Sequence, residues 1–237
     1  MGKIPKNMYQ DNVKSWNVVV GCKFDCIYCK KSFQAQMKRQ KPLIDKNGKK
    51  RGCHDCYDYK PHFHEERLKD SLPNTKGDEF IWACASGDIS FAKKEWIKKI
   101  LERIRELPHK IFFFQTKNPV YYRWFTFPKN VILGITLESN REFPEISKAP
   151  NPLERAFTFS EIEFSRKIIT IEPIMKFNLS TMLEWIRDIN PMRVYIGYDT
   201  KKTKLPEPTL KKTLELIEAL KKFTVVKPKL LREAWDK

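Results

Sequence analysis

The chain has 237 residues, 41% hydrophobic and 32% charged, with no apolar run near the roughly 18 residues of a membrane span. Lys and Arg number 46 against 29 Asp and Glu, a formal charge of +17 that favours a phosphate-rich partner such as DNA or tRNA. Heat-adapted proteins are also lysine-rich but balance the charge with Glu, which this chain does not. Residues 1–7 lack the apolar core of a secretory signal, so the expectation is a cytoplasmic protein, long enough for a sizeable core and read as a single domain over 1–237.

Residues 1–15 are an irregular lead-in broken by Gly, Pro and Asn. The β-branched run within 16–21 predicts the first strand, and the helix formers of 30–39 predict the first helix, ended by Pro42. Residues 41–64 depart from this pattern as a small basic insertion around an Asn47-Gly48 turn. The insertion carries Cys53, Cys56, His62 and His64, the makings of a zinc site with an unusually short gap between the histidines; unmetallated loop thiols or a second iron-sulfur cluster are the other readings.

From residue 79 strands and helices alternate. Strand 80–84 ends in Ser86-Gly87-Asp88 and is followed by a helix over 93–107; strand 110–114 ends in Gln115-Thr116-Lys117 before an aromatic stretch, 121–127. Strand 131–135 leads to Thr136, Glu138, Ser139 and Asn140, and strand 167–171 to Glu172-Pro173. A helix over 179–189 starts behind Asn178, strand 193–196 ends in Gly197-Tyr198-Asp199, and a last helix covers 209–222. With the apolar 223–226 set aside, six strands give an α/β fold, a partial (βα)6 TIM-like barrel of parallel strands with the basic insertion after its first helix. Such architectures bind ligands at the C-terminal strand ends, where the polar residues just named fall.

Directly after the first predicted strand come Cys22, Cys26 and Cys29. Three close thiols cannot all pair as disulfides, and zinc sites ordinarily bring cysteines in two pairs, so a soft metal cluster suits the triplet better. A 4Fe-4S cluster takes four thiolates, so three leave one iron open. Any one cysteine alone would read as a small buried hydrophobe.

Cys22-x3-Cys26-x2-Cys29, with Tyr28 before the last cysteine, resembles the signature of the radical S-adenosylmethionine (SAM) enzymes. The resemblance implies a 4Fe-4S cluster whose open iron chelates SAM, reductive cleavage to a 5′-deoxyadenosyl radical, and an electron donor such as ferredoxin or flavodoxin. It implies a role for Ser86-Gly87-Asp88 at the SAM amino group, although the family's common form there is Gly-Gly-Glu. Thr136, Glu138 and Ser139 match the position that often meets the SAM ribose. Lys117 would meet a carboxylate or phosphate, Glu172 SAM or substrate, and the stretch at Gly197 and Tyr198 adenine.

A closer likeness is to a phage-associated radical SAM-like family loosely linked to the spore photoproduct lyases, which repair DNA. It rests on Trp16-Asn17 before the cysteine loop, His64-Glu65-Glu66-Arg67-Leu68, Gln115-Thr116-Lys117, the Gly134, Glu138 and Asn140 spacing, and Glu172-Pro173. The expected reaction is modification or repair of a nucleic acid or nucleotide, with a peptide or small-molecule substrate, or a non-enzymatic metal-stapled binding module, as alternatives. Duller roles exist for single residues: Asp88 and Glu172 as caps or partners of surface lysines, Lys117 as a solvated charge. Tyr121, Tyr122, Trp124, Phe125 and Phe127 could stack bases beside Arg123 or form core or a lid.

Overall fold

Seven short segments pair side by side in sequence order in the computed structural model, which describes residues 9–44 and 46–235. The strands are β1 (Asn12–Trp16), β2 (Val19–Val20), β3 (Leu43–Ile44), β4 (Lys50–Arg51), β5 (His62–Phe63), β6 (Phe80–Ala83), β7 (Phe112–Thr116), β8 (Val131–Thr136), β9 (Lys167–Ile171), β10 (Arg193–Ile196) and β11 (Val225–Pro228). The helices are α1 (Ile27–Lys30), α2 (Phe33–Met37), α3 (His54–Tyr57), α4 (Lys94–Arg105), α5 (Pro152–Ser160), α6 (Leu179–Ile189) and α7 (Leu210–Leu220). The sheet runs β1-β6-β7-β8-β9-β10-β11, every pair parallel, and curls into a half-barrel.

Burial of the strands on both faces explains their continuous apolar runs. One face sends Ile81, Phe112, Phe114, Leu133, Ile169 and Val194 into the large core that also takes Ile97, Ile100, Ile186 and Leu216 of the helices. The other sends Phe80, Trp82, Phe113, Ile132, Ile168 and Tyr195 inward around Tyr9. Tyr9, from the stretch expected to be irregular, sits edge-on to Trp82 and Tyr195 at ring-centroid distances of 4.8 and 4.7 Å, and its hydroxyl reaches Gln115 and Thr170.

Three sequence expectations change. The first sheet strand is β1, not 16–21: Asn17 Oδ1 accepts the Ser86 amide at 2.8 Å in place of a ladder bond, and Val19–Val20 turn to pair antiparallel with β5. The predicted first helix divides into α1, α2 and a 3-10 turn over Lys38–Gln40, because Ser32 leaves the helical region and its hydroxyl donates to the Tyr28 carbonyl at 2.8 Å. The segment set aside becomes β11, a seventh parallel strand whose half-exposed edge position left only a weak apolar signal. The insertion forms the β3–β4 hairpin around Gly48, which has φ +74°, followed by α3 and β5.

Candidate active site

The C-terminal ends of the half-barrel strands open on a cavity of about 440 Å³. Ala85, Gly87 and Asp88 reach it from β6, Gln115 and Lys117 from β7, Thr136 from β8, Glu172 and Pro173 from β9, Asp199 to Lys201 from β10 and Lys229 from β11. The opposite wall is the cysteine loop, where Cys22, Cys26, Tyr28 and Cys29 all line the space.

Two glycines set that loop. Gly21, at φ +97°, donates to the Ser86 carbonyl and accepts from the Asp88 amide, both at 3.1 Å. A Cβ on Gly87 would lie 2.8 Å from the Gly21 carbonyl oxygen, so the two segments meet here only with glycine at position 87. Phe24, Cys26 and Tyr28 then pack with Ile146, Met175 and Leu205. Backbone bonds from Ile27 to the Ile146 carbonyl (3.0 Å) and from Lys148 to the Phe24 carbonyl (2.8 Å) clamp the loop against the segment after β8.

The thiols have distinct surroundings. Cys26 is buried, its sulfur 3.1 Å from Ser147 Oγ, while Cys22 and Cys29 are half-buried. The Phe24 amide donates to the Cys22 sulfur at 3.4 Å. The hydrogen bond between Cys26 and Cys29 holds Cys26 below the ordinary thiol value and Cys29 above it. Burial pushes Cys22 up, and Lys117 favours the thiolate form of all three.

Beneath the loop lies a buried charge cluster. Glu138 accepts from Lys117, from Arg155 Nη1 at 2.7 Å and from the Tyr28 hydroxyl. Burial alone would raise the Glu138 pKa, but the two cations outweigh it and hold the carboxyl below its usual range. Asp88 Oδ1 accepts from the Ser90 amide (3.0 Å), Ser90 Oγ (2.8 Å) and Thr116 Oγ1 (2.6 Å), and Oδ2 accepts the Lys117 amide at 2.8 Å. It therefore ties the end of β6 to the end of β7. Gln115 Nε2 donates to Thr136 Oγ1 at 2.6 Å, which leaves that hydroxyl's proton available to a ligand.

Glu172 differs from both carboxylates. Its Oε1 accepts from Lys229 Nζ at 2.7 Å, while the buried Oε2 has no partner among the described residues. Burial holds the Glu172 pKa above the usual carboxylate value, against the lowering effect of Lys229. A buried acceptor on a cavity wall without a donor points to a ligand.

The expected site residues divide accordingly. Cys22, Cys26, Cys29, Tyr28, Gly87, Asp88, Lys117, Thr136 and Glu172 converge on the cavity, and Ser86, Glu138, Ser139, Gly197 and Tyr198 do not line it. Ser86 is buried behind Asn17 and Gly21, and Ser139 Oγ donates to the Lys176 carbonyl at 2.6 Å on a separate depression. Tyr198 faces α7, its hydroxyl meeting the Pro208 carbonyl and Thr213, while the Gly197 amide and carbonyl are both taken by backbone bonds. Asp88 does act as a cap, and Lys117 is buried and paired rather than solvated. Tyr121 and Tyr122 of the aromatic run are core, Phe125 and Phe127 pack against that core, and Arg123 pairs with Glu161.

Tyr59 of the insertion and Lys229 of the basic tail also line the cavity, unmarked by any local signal because only the tertiary fold brings them there. Cys53, Cys56, His62 and His64 come together, away from the cavity thiols, as a group able to hold a metal ion. No protein-family model, curated protein or solved structure matches the chain. No helix among the described residues is long and apolar enough to cross a membrane.

Proposed function

We propose that the chain is a radical SAM enzyme in which Cys22, Cys26 and Cys29 hold a 4Fe-4S cluster and the strand ends opposite hold SAM and substrate. The observation that carries this reading is the convergence of three thiols on a cavity at the C-terminal edge of a parallel half-barrel, with no fourth cysteine and no histidine lining it among the described residues. The donor set fits the group: three sulfur ligands satisfy three irons and leave one open. The volume suits a small organic ligand, whose pockets run from roughly 300 to 1,000 Å³.

When bound, the cluster supplies the electron that splits SAM to methionine and a 5′-deoxyadenosyl radical able to take hydrogen from a substrate. The chain's own part is placement and exclusion of water. Lys117 is paired with Glu138 beneath the thiols rather than serving as a free cation. Glu172 Oε2 accepts a ligand N–H or O–H and Thr136 donates its hydroxyl proton. Trp82, Phe33 and Tyr59 supply apolar walls.

Under anaerobic reconstitution with iron and sulfide, with SAM and dithionite as reductant, the wild type is expected to release 5′-deoxyadenosine. A variant with Cys22→Ala, Cys26→Ala and Cys29→Ala is expected to release none. An intact cluster that neither binds nor cleaves SAM would overturn the reading and leave a metal-stapled binding module.

The substrate side of the proposal is a nucleic acid or nucleotide, modified or repaired in a cytoplasmic setting with reduced ferredoxin or flavodoxin as electron source. It is supported by the +17 charge and by Lys201 on the cavity wall. Binding to tRNA, duplex DNA or single-stranded DNA is expected to fall linearly with salt on logarithmic axes. Absence of salt-dependent binding to all three would sink this part alone.

A further inference from the structure

The cysteine-histidine group of the insertion has a geometry that the cavity chemistry does not use. Gly52, at φ +78°, lets the chain turn where a Cβ would lie 2.4 Å from the Lys41 carbonyl oxygen, and the next amide, that of Cys53, donates to the Gln40 carbonyl at 3.0 Å. The Cys53 sulfur accepts the Cys56 amide at 3.4 Å at the start of α3, which brings both sulfurs to one side. His62 and His64 stand two residues apart and so share a face of the extended chain. The His64 amide donates to the Val18 carbonyl at 2.8 Å, extending the β2–β5 pairing.

The four ligand atoms all lie within 4.8 Å of one another. His62 Nε2 is 3.4 Å from Cys53 Sγ and 3.3 Å from Cys56 Sγ, and His64 Nε2 is 3.1 Å from Cys56 Sγ. Zinc bonds of about 2.3 Å to sulfur and 2.0–2.1 Å to nitrogen make the edges of a tetrahedron about 3.3 to 3.8 Å long. With His62 and His64 contacts to sulfur of 3.1 to 3.4 Å and no separation beyond 4.8 Å, the group has the size of a single ion's ligand shell and is too tight to surround a multi-iron cluster.

The imidazole tautomers point the same way. His62 Nδ1 lies 2.7 Å from the Lys60 carbonyl, which only accepts, so Nδ1 carries the proton. His64 Nδ1 donates to the Glu66 carboxylate at 2.8 Å. With both imidazoles neutral, the Nε2 atoms carry bare lone pairs 2.8 Å apart. The two thiols can each donate to one nitrogen, yet two unprotonated nitrogens at that distance still repel. A cation accepting both lone pairs removes the conflict, and the Nδ1 partners are the kind of outer support that orients metal-bound histidines.

We propose that Cys53, Cys56, His62 and His64 bind one zinc ion tetrahedrally, and that this ion fastens the basic insertion to β2 and so holds both Gly21 and the cavity-lining Tyr59 in place. The segment between Cys56 and His62 carries Tyr59 and presses the Lys60–Pro61 backbone against Gly21, the residue before the first cluster cysteine. The site stands whether or not SAM is cleaved.

The test counts zinc in the purified full-length protein by mass spectrometry. One zinc per chain is expected in the wild type and in the variant lacking Cys22, Cys26 and Cys29, with loss in Cys53→Ser/Cys56→Ser. Zinc retained by the double-Ser variant, or lost only with the triplet, would overturn the assignment. If the double-Ser variant fails to fold, cobalt titration of chelator-stripped wild type decides: tetrahedral d–d bands with sulfur-to-cobalt charge transfer are expected, and a folded chain with neither would refute the site. Zinc addition is expected to slow amide exchange at β2 and β5. Binding without such slowing would overturn the fastening role.

Discussion

Replacing Glu138 by Gln is expected to destabilise the fold by about 3 to 5 kcal/mol, because it leaves buried cations without their countercharge. Glu138 is 2% exposed, and the Lys117 and Arg155 side chains that face it are only 11% and 6% exposed. The Gln amide keeps one acceptor oxygen but presents N–H groups to a second buried donor. Urea denaturation at pH 7 measures the loss. Glu161→Gln is the control, since its Arg123 partner and the Glu161 side chain are 46% and 47% exposed; a pair this solvated is worth under about 1 kcal/mol. Equal losses in the two variants would refute a structural role for the buried cluster.

The same residue fixes a pH dependence. The folded-state pKa of Glu138 lies below its ordinary 4.5, so its contribution is fully present above that value and is lost as pH falls from 4.5 toward the folded pKa. Wild-type stability is expected to fall in that acid window more steeply than that of Glu138→Gln. Parallel acid profiles would contradict the assignment.

The central strands were legible because strands buried on both faces read as apolar runs, as in the Phe112 to Phe114 and Val131 to Ile135 stretches. The edge strands were not: Asn12–Trp16 includes Lys14 and Ser15, and Val225–Pro228 is only half-covered. α5 was missed although its start is marked, with Asn151 Oδ1 accepting the Glu154 amide at 2.8 Å and Pro152 in the first turn. The cysteine triplet stood out because its spacing is local, and the parallel topology gathers most of the strand-end residues at one edge. What sequence could not give was facing. Tyr198 turns toward α7, and Glu138 turns into an ion cluster whose Arg155 comes from the unrecognised helix. Lys229 became a site residue only once β11 joined the sheet and placed it beside Glu172.

Gly21→Ala is expected to cost about 2 to 6 kcal/mol, from two sources that add because neither relieves the other. A non-glycine residue held at φ +97° carries strain of order 1–3 kcal/mol. The new Cβ would also lie 2.3 Å from the Lys60 carbonyl carbon and oxygen and 2.5 Å from the Pro61 nitrogen, all of them backbone atoms with no rotamer to yield. Overpacking of this kind costs about 1–3 kcal/mol. Gly48→Ala separates the two terms, since Gly48 has φ +74° but no atom within 4 Å of its would-be Cβ. Its loss on urea denaturation should show the backbone term alone; equal losses at the two positions would remove the steric argument. If the chains do part at Gly21, the β2–β5 pairing loosens and the bonds from Gly21 to Ser86 and from Asp88 to Gly21 lengthen together. On the proposed zinc site and the proposed cluster, Gly21→Ala should therefore weaken zinc retention by Cys53, Cys56, His62 and His64 and iron loading by Cys22, Cys26 and Cys29 in one preparation, although it replaces none of those residues.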